Sequence, residues 1–206
     1  MRLNLPVRVD TSRPLIAAAA VLSGFGFTLL GSASAQAALV ATGACDNATL
    51  SQPFASFGDS ASYKLISGGD FESSLAGWSV SRGAAVVGGA GGAGHALALS
   101  PGESIQTPST CVNTSYPTFR LFAKNTQGLG TVLVQAVYKL PPLNLSVPLP
   151  VGVITLNSTW SPTLPMLTGS IAAGLLSNGT AKLSLRFTAL TGTTAIDDIY
   201  VDPRMR

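Results

Sequence analysis

The chain of 206 residues has a single histidine, His95, and only two cysteines, Cys45 and Cys111. One imidazole excludes zinc sites built on two or three histidines. Charged residues make up only 10% of the chain. No basic run and no basic patch interleaved with aromatics is present, which argues against a nucleic-acid partner. No G-x-S-x-G elbow presents a serine to His95, and no lysine followed by Ser or Thr completes a phosphate loop. Beyond residue 37 no apolar segment is long enough to cross a bilayer.

The one long apolar run lies at the start. Arg2, Arg8 and Arg13 precede an apolar or small stretch over residues 15–30, and small residues follow with A-x-A at 33–35 and again at 35–37. This is the order of a secretory signal peptide, with cleavage expected after Ala35 or Ala37. The expected organisation is therefore a signal peptide over residues 1–37 and one domain over residues 38–206, in a secreted protein without a stable membrane span. Removing the leader takes three arginines and Asp10, so nine basic residues face eight acidic ones and the formal charge falls to +1. The 169 residues left suffice for one domain with a core. An oxidising compartment favours joining Cys45 to Cys111, which would close a loop of about 66 residues and restrict the unfolded chain by roughly 4 kcal/mol.

What remains is rich in Gly, Ser, Thr, Ala and Pro, a composition suited to short strands and tight turns. Residues 181–188 alternate Ala181, Leu183, Leu185 and Phe187 with Lys182, Ser184, Arg186 and Thr188. That period of two places one face in a core and the other in water. Residues 118–124 set Phe119, Leu121 and Ala123 against Arg120, Phe122 and Lys124. Residues 131–138 are apolar on both faces and suit a central strand. Weaker strands are expected at 62–66, 77–80, 84–87, 96–99, 103–107, 151–156 and 195–201. Pro141, Pro142, Pro148 and Pro150 make the stretch between them an edge strand or an extended loop. Residues 171–176 suit at most a helical turn. Many short strands with almost no helix predict an all-β fold, a single antiparallel β-sandwich of jelly-roll type.

Gly89-Ala90-Gly91-Gly92-Ala93-Gly94 matches G-x-G-x-x-G, but strand-like residues follow where a dinucleotide site needs a helix. It reads as a hairpin turn. Glycosidase chemistry needs two carboxylates across a cleft, and the sequence displays no such pair. Two acidic clusters, Asp70/Glu72 and Asp197/Asp198, would meet if the terminal strands pair, offering oxygen ligands to a hard cation such as Ca²⁺. Trp78 suits a core anchor. Asn-x-Ser/Thr occurs at Asn47, Asn113, Asn144, Asn157 and Asn178.

Gly68-Gly69-Asp70-Phe71-Glu72, Gly77-Trp78 and residues 195–202 (Ala-Ile-Asp-Asp-Ile-Tyr-Val-Asp) resemble the first and last strands of carbohydrate-binding-module jelly rolls of the galactose-binding-like type. Across nearly the whole mature chain the pattern also resembles small secreted actinobacterial proteins of unknown function. The first resemblance implies a structural calcium on Glu72 and Asp197, with Asp198 as an alternative, although Gly69 stands where those modules have asparagine. It transfers no sugar-contacting residue. The expected function is a secreted, non-catalytic β-sandwich that binds carbohydrate or another cell-envelope component, through loop tips or a sheet face carrying Arg120, Phe122 and Arg186. The alternatives are a structural or protein-interaction component of the cell surface and, further off, a hydrolase. The partners expected are an extracellular or cell-wall glycan, or a surface protein.

Overall fold

The computed structural model describes residues 49–92, 94–113, 118–140, 143–168 and 180–202. The signal peptide, Cys45, Asn47, Asn178 and the turn expected at 171–176 lie outside the described residues. The fold is all-β and antiparallel throughout the described residues, as the alternating segments predict. Its strands are β1 (Lys64–Leu65), β2 (Ser79–Val80), β3 (Ala85–Gly88), β4 (His95–Leu99), β5 (Ser104–Gln106), β6 (Thr110–Asn113), β7 (Thr118–Leu140), β8 (Leu145–Thr155), β9 (Ser161–Pro162), β10 (Met166–Leu167) and β11 (Thr180–Asp202).

Two strands of 23 residues, β7 and β11, run antiparallel along their full length and belong to both layers of the sandwich. In one layer the first half of β7 carries β9 and β10 on one side, while the second half of β11 carries β4 and β1 on the other. β3 extends that layer beyond β4. In the other layer the second half of β7 pairs with β8, and the first half of β11 pairs with β5 and β6. The layers fold over at a run of register shifts between Ala189 and Thr194, opposite residues 125–131. Bulges of this kind bend a strand and increase its twist.

The sequence suggested separate strands at 118–124 and 131–138, and again at 181–188 and 195–201. Each pair is one strand bent through a Gly- and Thr-rich centre, because the ladder between β7 and β11 survives the bulges. Between the layers sit Phe119, Leu121, Val134, Leu183, Leu185 and Phe187, with at most 1% of their surface exposed. Phe119 and Phe187 come from different layers of the long pair, opposite Val201 and Val134, and their rings meet edge to face at 6.1 Å. The proline-flanked stretch is the edge strand β8, with Pro148 opposite Val137 and Pro150 opposite Gln135. Proline is tolerated at an edge, where its missing N–H faces away from the neighbouring strand.

Residues 120 and 122 depart from expectation. The alternation put Arg120 and Phe122 on a solvent face, yet Arg120 is 6% exposed and Phe122 is half-buried. The segment before β1 lies over them. Phe54 stacks on Phe122 at 5.3 Å and on the Arg120 guanidinium at 4.2 Å, and meets the Tyr63 ring at 4.9 Å. Arg120 Nε donates to the Thr163 carbonyl at 2.8 Å, and Nη1 donates to Asp59 Oδ2 at 2.5 Å. The Tyr63 hydroxyl also donates to Asp59 Oδ2, at 2.6 Å. Burial alone would raise the Asp59 carboxyl, but bonds from Tyr63, Ala61 and Arg120 outweigh it and hold the pKa below the ordinary value. Arg120 is therefore part of the interior, and the 49–63 segment covers much of this face.

Candidate functional site

The acids named from the sequence are gathered at one corner. β1 pairs with the end of β11, Lys64 opposite Val201 and Leu65 opposite Tyr200. The chain then turns back so tightly that Ile66 N–H donates to Ile199 O at 2.9 Å and Ile199 N–H donates to Gly69 O at 3.1 Å. A Cβ on Gly69 would stand 2.9 Å from Ile66 O and 3.0 Å from Ile199 O, so glycine rather than asparagine fits this turn. Across from it β11 is bulged between Asp197 and Tyr200, and Asp198 adopts the left-handed region at φ 51°. Aspartate tolerates that conformation better than most side chains.

Asp197 is 4% exposed. Its Oδ2 accepts Ala90 N–H at 2.7 Å from the glycine-rich β3–β4 hairpin, and its Oδ1 accepts Asp198 N–H at 2.8 Å. Gly88 faces His95 across that hairpin, so the G-x-G-x-x-G run is a turn. Burial pushes the Asp197 carboxyl up to about 7, and the charges of Asp198 and Glu72 add to the rise. Asp198 is raised by burial and by the charges of Asp70 and Glu72. Glu72 is exposed and held below its usual range, first by the His95 backbone N–H and then by the imidazole, whose Nδ1 lies 3.1 Å from Oε2.

The acids therefore feel one another, and an all-oxygen set is the chemistry a hard cation prefers. As placed, their oxygens are committed elsewhere, Glu72 to His95 and Asp197 to two backbone N–H groups. Among the described residues no three Asp, Glu, His or Cys side chains are grouped as a metal shell would be. Trp78 is half-buried at the rim of this corner, 5.1 Å from the Phe71 ring, with its indole N–H on Ser67 O at 2.9 Å. Cys111 lies in β6 opposite Lys182.

A second locus, not anticipated from the sequence, forms where β7 bends. Asn125 N–H donates to Asn157 O at 2.7 Å and Leu156 N–H donates to Gly130 O at 2.9 Å, stitching the loop after β8 to the bend. Asn125 Nδ2 donates to Gly128 O at 2.9 Å and Leu156 O at 3.4 Å, which fixes the amide. Its side chain crosses Gly130, where a Cβ would lie 2.7 Å from Asn125 Cβ. A shallow cleft of about 480 Å³ results, lined by Lys124, Asn125, Thr126, Gln127, Gly128 and Ser158. Beside it, Lys124 Nζ sits 4.8 Å from the centroid of the half-buried Trp160 ring.

On the other side of the 156–161 segment lies a hollow of about 390 Å³, with Ile154, Leu156, Asn157, Ser161, Leu164 and Met166 in its wall. Neither cavity is lined by a carboxylate or a histidine. The polar Asn-Thr-Gln-Gly run between two strong strands was the available signal for the cleft. It says nothing of residues 156–160, which only the fold brings beside it. Arg186, the remaining residue of the expected sheet face, is half-buried and directs Nε and Nη2 to Gln106 Oε1 at 3.0 and 2.8 Å.

No protein-family model and no curated protein matches the chain. Several solved structures are similar to it. One holds the N-terminal CBM22-1 and GH10 modules of Clostridium thermocellum endo-1,4-β-D-xylanase 10B complexed with xylohexaose, at 13% identity over 68% of this chain with a TM-score of 0.46. The chain spans 27% of that structure's length. Another is the family 11 carbohydrate-binding module of Clostridium thermocellum with a β-1,3-1,4-mixed-linked tetrasaccharide, at 16% identity over 68% of this chain and 94% of that one, TM-score 0.48. A family 6 carbohydrate-binding module is similar at 10% identity over 60% of this chain and 86% of that one, TM-score 0.42. The likeness is to carbohydrate-binding-module β-sandwiches, and no residue role is transferred from it.

Proposed function

We propose that the protein is a secreted, non-catalytic β-sandwich that binds glycan at the bend of β7. The observation that carries this reading is the composition of the cleft. Its lining of amides and hydroxyls (Asn125, Thr126, Gln127 and Ser158) is polar without being acidic, of the kind that hydrogen-bonds sugar hydroxyls, and the Trp160 ring beside it offers an apolar flank. Its Asn125 amide is fixed before any ligand arrives, which limits the ordering cost of binding. The leader-like order of residues 1–37 is what supports export.

Retention on immobilised cell-wall and plant polysaccharides, with the Trp160→Ala variant as control, tests the proposal. Wild-type retention that the variant loses supports it; absence of retention on every polymer overturns it. The intact mass of protein recovered from culture medium, beginning at residue 36 or 38, tests the export step.

A second reading rests on a different surface. Leu143 just before β8, Leu145, Leu149 and Val153 within it, and Leu164 and Leu167 beyond are 39–86% exposed. An apolar row of this kind favours protein contact. Pro148 and Pro150 remove two donors that an added strand would need, so a partner would meet the side chains rather than extend the sheet. Sedimentation across a concentration range separates this reading, which requires a complex, from a monomer that binds sugar.

A further inference from the structure

The charge of the cleft rests on one group. Of its six lining residues only Lys124 is ionisable, and the others are amides, hydroxyls and a glycine. No carboxylate pairs with Lys124 among the described residues; its ammonium instead lies over the Trp160 ring. Its cross-strand partner in β11 is Ala195, and Ser161 of β9 faces the neighbouring Ala123. The ion pairs Arg120–Asp59 and His95–Glu72 do not involve Lys124. A cation over an aromatic face is held in position while most of its hydrogen-bonding capacity stays available.

From this we propose that the ligand is an acidic glycan whose sugar rings carry a carboxylate. The inference rests on the glycan-binding reading and adds the class of sugar. The pairing is one carboxylate to one lysine, with the ring hydroxyls falling to Asn125, Gln127, Thr126 and Ser158. A compact ammonium at an open cleft suits a single-point contact with a carboxylate; planar two-point recognition would call for arginine. The contact is partly solvated, so it weakens as salt rises.

The test titrates the exported chain by calorimetry with an oligogalacturonate and with the matching neutral galactan oligosaccharide, at low and high salt. The oligogalacturonate binds about tenfold more tightly than its neutral counterpart, roughly the effect of 1.4 kcal/mol, and the difference shrinks at high salt. Lys124→Met costs the oligogalacturonate about tenfold more affinity than it costs the neutral galactan oligosaccharide, so that the preference disappears, and Lys124→Arg retains most of it. Equal affinity for charged and neutral sugars, or unchanged uronate binding in Lys124→Met, overturns the inference and leaves glycan binding standing. A sulfated or phosphorylated oligosaccharide that binds more tightly than the uronate overturns the carboxylate assignment. Failure of every sugar to bind, with Trp160→Ala indistinguishable from wild type, overturns the parent reading and this one with it.

Discussion

Replacing Arg120 by methionine keeps a long apolar stem beneath the segment before β1 and deletes only the guanidinium. Three interactions go: the bond to Asp59 at 2.5 Å, the bond to Thr163 O at 2.8 Å and the stack on Phe54 at 4.2 Å. The Arg120 side chain is 8% exposed and that of Asp59 25%. Removing one partner of a fully buried pair costs about 3–5 kcal/mol, and the water that reaches Asp59 lowers this to about 2–3. The lost stack adds about 0.5–1 kcal/mol. A total near 3 kcal/mol lowers the melting temperature by about 6–12 °C in a domain of this size.

The loss should be local before it is global. Hydrogen exchange of residues 54–63 should rise well ahead of exchange in β7 and β11. Asp59 supplies the sign of the pH dependence. Its folded pKa is below the ordinary 3.8, so its stabilising contribution is fully present above that value and is lost as pH falls through the folded pKa. The gap between wild type and Arg120→Met is therefore constant from pH 5 to 8 and narrows below about pH 4. A variant that melts within about 1 kcal/mol of wild type, with unchanged exchange at residues 54–63, would refute the idea that this pair clamps the segment.

Gly69→Ala places a methyl against two backbone carbonyls that cannot retreat independently; chemical denaturation should register a loss of about 2 kcal/mol. Thiol labelling of protein recovered from the culture medium, before reduction, should find no reactive cysteine, and Cys111→Ser should cost roughly 4 kcal/mol if Cys45 closes the loop; labelling of both thiols refutes the bond. The calcium proposal requires Glu72 to leave His95, and it predicts a melting midpoint higher in calcium chloride than in EDTA at neutral pH. An unchanged midpoint removes the metal.

The sequence by itself determined the class of fold and the inner face of its strands. Leu183, Leu185 and Phe187, or Phe119 and Leu121, recur at a period of two that fits only a half-buried strand, and they are the core. The meeting of the acidic ends was legible too, once terminal strands were taken to pair. Periodicity says which residues share a face, however, and not what packs on it. Arg120 and Phe122 alternate like solvent-facing residues, and only the chain crossing above them, 61 residues from Asp59 to Arg120, puts them inside. The same limit hid the cleft. Lys124 and Trp160 are ordinary residues in separate segments, and the pairing of β9 with β7, Ser161 opposite Ala123, together with the bond from Asn125 N–H to Asn157 O, is what sets them side by side. Local pattern specified the strands; long-range pairing, which depends on the whole chain closing at once, decided the site.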